Sequence, residues 1–292
     1  MPQTNTTICC IGHITHDINL NAGKVVNMPG GTALYFSHAL AHMPVNYKLV
    51  TAVASRERIY AEQLHGLGVD VLILPSAGTV FFENTYGTNP DERMQRVLQT
   101  ADSFTTAQLR GIDADLYHLG PLLADDFDED VIPFLASKGR VSLDVQGLLR
   151  KVVDTRVVPV DWPEKYALLP YIHTLKVNEM ELSVLTGMND IRQAAKKLGD
   201  LGVKEVVITL GSNGSLIYAD EKYCAIVAFK PAVFMDATGC GDTYMAGYLY
   251  QRASGATVRE AGRFASAMAG LKAGCIGPFS GTEDEVKDQY TL

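Results

Sequence analysis

The sequence predicts an α/β fold built around a mostly parallel sheet, and three observations carry that prediction. Short apolar runs rich in β-branched residues recur along the 292-residue chain, amphipathic segments of helical length separate them, and glycines close several of those segments. The runs at 6–11, 49–53, 69–74, 116–119, 141–145, 174–177 and 206–210 read as strands. Between them, 33–42, 59–65, 128–138, 179–186, 191–201, 242–253 and 258–273 read as helices, with Gly139, Gly187 and Gly202 at helix ends. Two stretches break the alternation. Residues 19–28 and 79–102 hold extended runs, the second around the turn signal GTNPD at 87–91. They predict a small β-sheet, contributed by about 15–29 and 79–102, that projects from one domain spanning 1–292 and covers a site.

Composition narrows the function classes. With 25 Lys and Arg against 33 Asp and Glu, the formal net charge is −8, and 47% of residues are hydrophobic. No run of Lys and Arg offers the clustered positive charge that nucleic acid or an anionic membrane surface requires, so neither partner is expected. The five cysteines are odd in number and contain no C-x-x-C, which points to reduced thiols rather than a disulfide framework or a zinc site. The opening MPQTNTTICCIG lacks the basic and apolar regions of a signal peptide, and no run of ~18 apolar residues follows. A cytoplasmic chain is the expectation.

Residues 233–249, VFMDATGCGDTYMAGYL, are the most informative stretch. An apolar strand end leads into Gly239, Cys240 and Gly241, and Asp242 follows at the start of a helix. Glycines let a ligand approach the backbone, and the unpaired N–H groups of a helix's first turn favour an anion. If that anion is a phosphoryl group in transfer, these N–H groups stabilise its charge while Asp242 takes the proton of an attacking hydroxyl. The six residues 236–241 equally suit an Asp that merely caps a helix. His13 and His16 have a spacing a metal could use, but without a neighbouring Cys or acid cluster they read as structural or as walls of a pocket. The P-loop pattern G-x-x-x-x-G-K-[ST], the dinucleotide pattern G-x-G-x-x-G after a strand, and H-E-x-x-H are all absent.

The run from Asp236 to Asp242, D-A-T-G-C-G-D, resembles the D-T-x-G-A-G-D signature of the ribokinase-like, or PfkB, carbohydrate kinases. Further family marks occur in order. Asp17 in GHITHD matches the early acid that holds sugar hydroxyls, and Gly30-Gly31 before a helix resembles the N-terminal G-G signature. Asn178 to Glu181 matches N-x-x-E, and TLGSNG at 209–214 resembles the element that contacts the nucleotide. The resemblance implies a three-layer α/β/α domain with a mostly parallel central sheet and a β-sheet lid. It implies Asp242 as catalytic base and the N–H groups of Gly239, Cys240 and Gly241 as anion hole. Asn178, Thr209, Gly211 and Gly214 would then bind ATP, while Asn178 and Glu181 order Mg²⁺ through water. A K⁺ ion held by backbone carbonyls near Asp236 and Thr238 is also implied.

Acceptor identity is expected at Asp17, at Gly30 and Gly31, and at the lid. Where ribokinases have G-G-K-G-A-N, this chain has G-G-T-A-L-Y at 30–35, losing a Lys and an Asn that would pair with hydroxyls, so ribose is disfavoured. GHITHD and LDVQGLLR at 143–150 resemble instead the plant myo-inositol kinase branch, which places Asp144, Gln146 and Arg150 at the acceptor. Arg150 would pair with a phosphate or with Asp144. A sugar or cyclitol kinase is therefore the leading reading. A nucleoside kinase competes, with Tyr35, Phe36, Phe81, Phe82 and Tyr86 as base-stacking candidates, and a ligand sensor on the same fold is the non-catalytic alternative. Homodimers through the lid are compatible with each of them.

Overall fold

Strand β1 shows how the sequence lays down the core: Ile8 and Cys10 belong to one buried cluster and Cys9 and Ile11 to another, so alternate residues feed opposite faces of one sheet. The computed structural model describes residues 4–21, 24–86 and 93–290. Its strands in chain order are β1 (Thr4–Ile11), β2 (Thr15–Asn21), β3 (Lys24–Gly30), β4 (Val45–Val53), β5 (Asp70–Pro75), β6 (Phe81–Tyr86), β7 (Arg93–Gln99) and β8 (Leu116–Leu119). They continue as β9 (Arg140–Asp144), β10 (Arg150–Val153), β11 (Arg156–Pro159), β12 (Ile172–Asn178), β13 (Glu205–Thr209), β14 (Ser215–Ala219) and β15 (Lys222–Ile226).

Nine of these form the central sheet, in the order β15-β14-β13-β12-β9-β8-β1-β4-β5. It is parallel from β13 to β5, and only β14 and β15 run antiparallel at one edge. One face is covered by helices Thr32–Leu40, Cys240–Ala253 and Val258–Ala273, the other by Val131–Ala136, Glu179–Thr186 and Ile191–Asp200. This is the predicted three-layer α/β/α arrangement. The carboxyl ends of β9, β12 and β13 deliver Asp144, Asn178 and Thr209 to the same rim, where parallel sheets hold their ligands.

The remaining six strands make the second sheet, β10-β11-β7-β6-β2-β3, antiparallel except for the β2–β6 pair. It includes the segments the sequence singled out, and it adds 150–159, which the sequence did not flag. The reason is local. β10 and β11 have four residues each, and their hairpin turns on Asp154 and Thr155 at φ 46° and 67°, a conformation usually signalled by Gly or Asn. Asp17 stands on β2 of this sheet. The turn at 87–91 and the Tyr86 side chain lie outside the described residues. The helix expected over 128–138 is shorter, Val131–Ala136, and among the described residues no helix is long and apolar enough to cross a membrane.

Candidate active site

A cavity of about 1160 Å³ lies between the carboxyl rim of the central sheet and the second sheet, and most of the singled-out residues line it. Its floor is the glycine-rich turn. Asp236 Oδ1 accepts the Thr238 N–H at 2.9 Å, closing a turn that leads to Gly239 at φ 75°. Only glycine suits that position, because a Cβ would run into the Tyr35 ring. The helix then begins at Cys240, placing Asp242 in its first turn. The anion hole differs from expectation in one donor: the Cys240 N–H is bonded to the Ala237 carbonyl at 3.1 Å. Among the described residues no acceptor pairs with the N–H groups of Gly239 and Gly241.

Asp242 is half-buried beside a charged cluster. Lys176, on β12, points its ammonium at Asp144 Oδ2 (2.9 Å) and Glu181 Oε2 (3.8 Å), and all three side chains are buried. Burial, with the Asp144 carboxylate adding to it, pushes the Asp242 carboxyl up to about 6, while Lys176, a hydrogen bond from Thr32 and Arg150 pull the other way. For Lys176, burial would disfavour the charge, but Asp144 and Glu181 outweigh it and hold the ammonium above its ordinary range. Lys176 was missed by sequence reasoning. Its signal was a lone cation inside the strand IHTLKVN at 172–178, where a buried charge requires a partner.

Asn178 and Glu181 form a reciprocal cap. Asn178 Oδ1 accepts the Glu181 N–H at 2.9 Å, and Glu181 Oε2 accepts the Asn178 N–H at 2.8 Å. Glu181 Oε1 is buried without a partner, and burial raises the carboxyl above its ordinary range despite Lys176. An unpartnered carboxylate oxygen behind the cavity wall fits a Mg²⁺-bound water.

At the end of the cavity nearest β2, Asp17 Oδ1 accepts the Thr15 hydroxyl at 2.7 Å, and Gly30 leaves room for Asp17, since a Cβ there would strike its Oδ2. Gly31, Asp144, Gln146 and Arg150 line the same end. Asp144 takes its ion pair from Lys176 and also accepts the Gln146 N–H at 3.1 Å. The opposite end runs past Thr209, Gly211 and Gly214 to a stretch lined by Ala228, Phe229, Lys230, Pro231 and Phe234. Gly30, Glu181 and Asp236 stand behind the wall rather than on it. Of the aromatic candidates Tyr35 and Phe82 face the cavity, whereas Phe36 stacks on His118 in the core and Phe81 packs edge-on to His16. His13 and His16 do not converge: His13 Nδ1 meets the Ala52 carbonyl and His16 Nδ1 meets the Tyr60 hydroxyl.

The K⁺ expectation does not fit. The ammonium of Lys272, itself fully buried, lies 3.1 Å from the Asp236 carbonyl oxygen and 3.4 Å from Asp236 Oδ2, where a free ion would have to sit. Lys272 also escaped the sequence reading, although it is a single cation in the small-residue run AMAGLKAGC.

Fold and site together are those of a small-molecule phosphotransferase. Residues 113–285 match the pfkB family of carbohydrate kinases, and the chain belongs to that family. It is 38% identical over 143 residues to a ribokinase of Arabidopsis thaliana, a match spanning 44% of this chain and 37% of that one. It is 26% identical to an inositol 3-kinase of the same plant over 88% of this chain and 71% of the other. A solved structure of a pyrophosphate-dependent kinase in the ribokinase family, complexed with a pyrophosphate analog and myo-inositol, superposes with a TM-score of 0.85. That protein is 28% identical, with 96% of this chain and 99% of that one covered.

Proposed function

We propose that this protein transfers the γ-phosphoryl group of ATP to a hydroxyl of a cyclitol, with a myo-inositol-like polyol as the first candidate. The observation that carries the proposal is the place of Asp242: a carboxyl raised towards neutral pH at a glycine-rich helix start, between the cavity end lined by Asp17, Gln146 and Arg150 and the end lined by Thr209, Gly211 and Gly214. In this reading the acceptor is held by Asp17 on β2 and by Gln146 and Arg150, with the second sheet excluding water. Asp242 takes the hydroxyl proton as the oxygen attacks in line, and the N–H groups of Gly239 and Gly241 face the charge on the moving phosphoryl group. Asn178 and Glu181 would hold Mg²⁺ through water, and when bound the ion neutralises phosphate charge. Thr209, Gly211 and Gly214 would border the nucleotide.

The choice of ATP rests on the mainly apolar stretch beyond Gly211, where the side chains of Phe229, Pro231 and Phe234 could pack against an adenine and an inorganic donor would leave them unused. The kinship with a pyrophosphate-dependent enzyme favours a second reading, in which pyrophosphate is the donor. Phosphorylated product is measured with myo-inositol, ribose, fructose and nucleosides, each with Mg²⁺-ATP and with Mg²⁺-pyrophosphate. Turnover on myo-inositol with ATP alone supports the proposal, turnover with pyrophosphate alone transfers it to the second reading, and preference for another acceptor class refutes the cyclitol assignment.

A further inference from the structure

The loop that carries Asp242 is fastened from beneath by one side chain. Lys272 lies in the last turn of helix Val258–Ala273 with no exposed surface, and its ammonium meets three acceptors: the Asp236 carbonyl, Asp236 Oδ2 and, at 3.3 Å, the Cys275 carbonyl. Three N–H donors are thus matched by three oxygens, so no donor of the buried ammonium is left unpaired. The same helix end binds the loop by main chain, since the Met235 N–H donates to the Ala273 carbonyl at 2.8 Å. A helix C-terminus gathers unpaired carbonyls and negative potential, so a cation belongs there. The two bonds to Asp236 fix the residue whose Oδ1 closes the turn onto Thr238, and that turn sets the position of Gly239 and the helix start.

We propose that Lys272 is a tethered monovalent cation: its ammonium does for the 236–242 loop what an exchangeable ion would otherwise do, so the protein needs no K⁺. The point rests on the kinase reading only for its effect on turnover. As a positioning residue, Lys272 acts through the loop and touches no reacting atom.

The test compares wild type, Lys272→Ala and Lys272→Met in KCl, NH₄Cl and tetramethylammonium chloride at equal ionic strength, by melting temperature and by turnover. Wild type is expected to melt at one temperature and to turn over within about 2-fold across the three salts. The Ala variant vacates the ammonium's position, so K⁺ or NH₄⁺ should raise its melting temperature where tetramethylammonium, too large to enter, does not. Its kcat should fall by about 10- to 100-fold in tetramethylammonium, the range typical of a lost supporting contact, and recover at least 10-fold in KCl. The Met variant fills the space without charge and should be insensitive to salt. Activation of wild type by K⁺ would overturn the proposal, as would an Ala variant that melts alike in all salts or folds in none of them. A wild type silent with every donor and acceptor would sink the kinase reading, and the melting comparison would still decide the role of Lys272.

Discussion

Asp144 Oδ2 lies 2.9 Å from Lys176 Nζ, and through that contact the end of the cavity lined by Asp17, Gln146 and Arg150 is joined electrostatically to Asp242, the proposed base. Three carboxylates, those of Asp144, Glu181 and Asp242, gather around the Lys176 ammonium. Burial and the Asp144 charge together keep the Asp242 carboxyl near 6, well above its ordinary value. A general base is most effective with a pKa close to the working pH, so this arrangement suits proton abstraction.

The pH dependence follows with a definite sign. Asp242 acts as its carboxylate, so kcat/KM should rise with pH through about 6 and be level above it. Asp144→Asn removes a charge that raises the Asp242 pKa, so the acid limb should move to lower pH. Lys176→Met removes a charge that lowers it, so the limb should move up. Initial rates from pH 4.5 to 8.5 measure all three, and a limb unmoved by either substitution would separate it from Asp242.

Asp242→Asn should fold as wild type and bind the donor, because Asn also suits the first turn of a helix. Its kcat should drop by about 10² to 10⁴-fold, the range for a general base. Single-turnover rates check this, and near-normal kcat would assign the base elsewhere.

The fold was legible because the parallel strands are buried on both faces and so are written as uninterrupted β-branched runs, such as Val206, Val207 and Ile208. The glycine turn was legible because Gly239 needs a left-handed φ that few other residues adopt. What escaped were features defined by long-range partners. β10 and β11 pair with each other and only β11 reaches β7, and neither has the length or turn chemistry to announce itself. Lys176 and Lys272 are far in sequence from Asp144 and Asp236, and pairing across 32 and 36 residues leaves no local spacing to read. The Cys240 donor was misjudged because its N–H is taken by a carbonyl three residues back, a detail of the turn that composition does not encode.

Glu181→Gln should separate the structural and the ion-binding roles of its carboxylate. A glutamine carbonyl can still accept the Asn178 N–H, as capping pairs with Gln do, so stability should change by less than about 1 kcal/mol. The remaining oxygen becomes an amide and loses its charge, so the Mg²⁺ concentration needed for half-maximal rate should rise by about 10- to 100-fold. Titrating Mg²⁺ at saturating donor and acceptor gives the answer, and an unchanged midpoint would remove Glu181 from the ion's surroundings.

Gly239→Ala and Gly211→Ala make a controlled pair. Both glycines have positive φ, 75° and 56°, so each alanine carries backbone strain on the order of 1 kcal/mol. They differ in space: nothing lies within 4 Å of a Cβ at Gly211, whereas one at Gly239 overlaps the Tyr35 ring. Gly211→Ala should therefore lose only the strain in stability. Gly239→Ala should lose about 3 kcal/mol, the sum of strain and overpacking, and should lower kcat by displacing the helix start that carries Asp242. If the ring is the obstacle, adding Tyr35→Ala should return roughly 1 to 2 kcal/mol of that loss, read as a coupling energy in urea unfolding of the four proteins of the cycle. Additive losses would mean that Tyr35 yields freely and that the backbone alone demands glycine at this position.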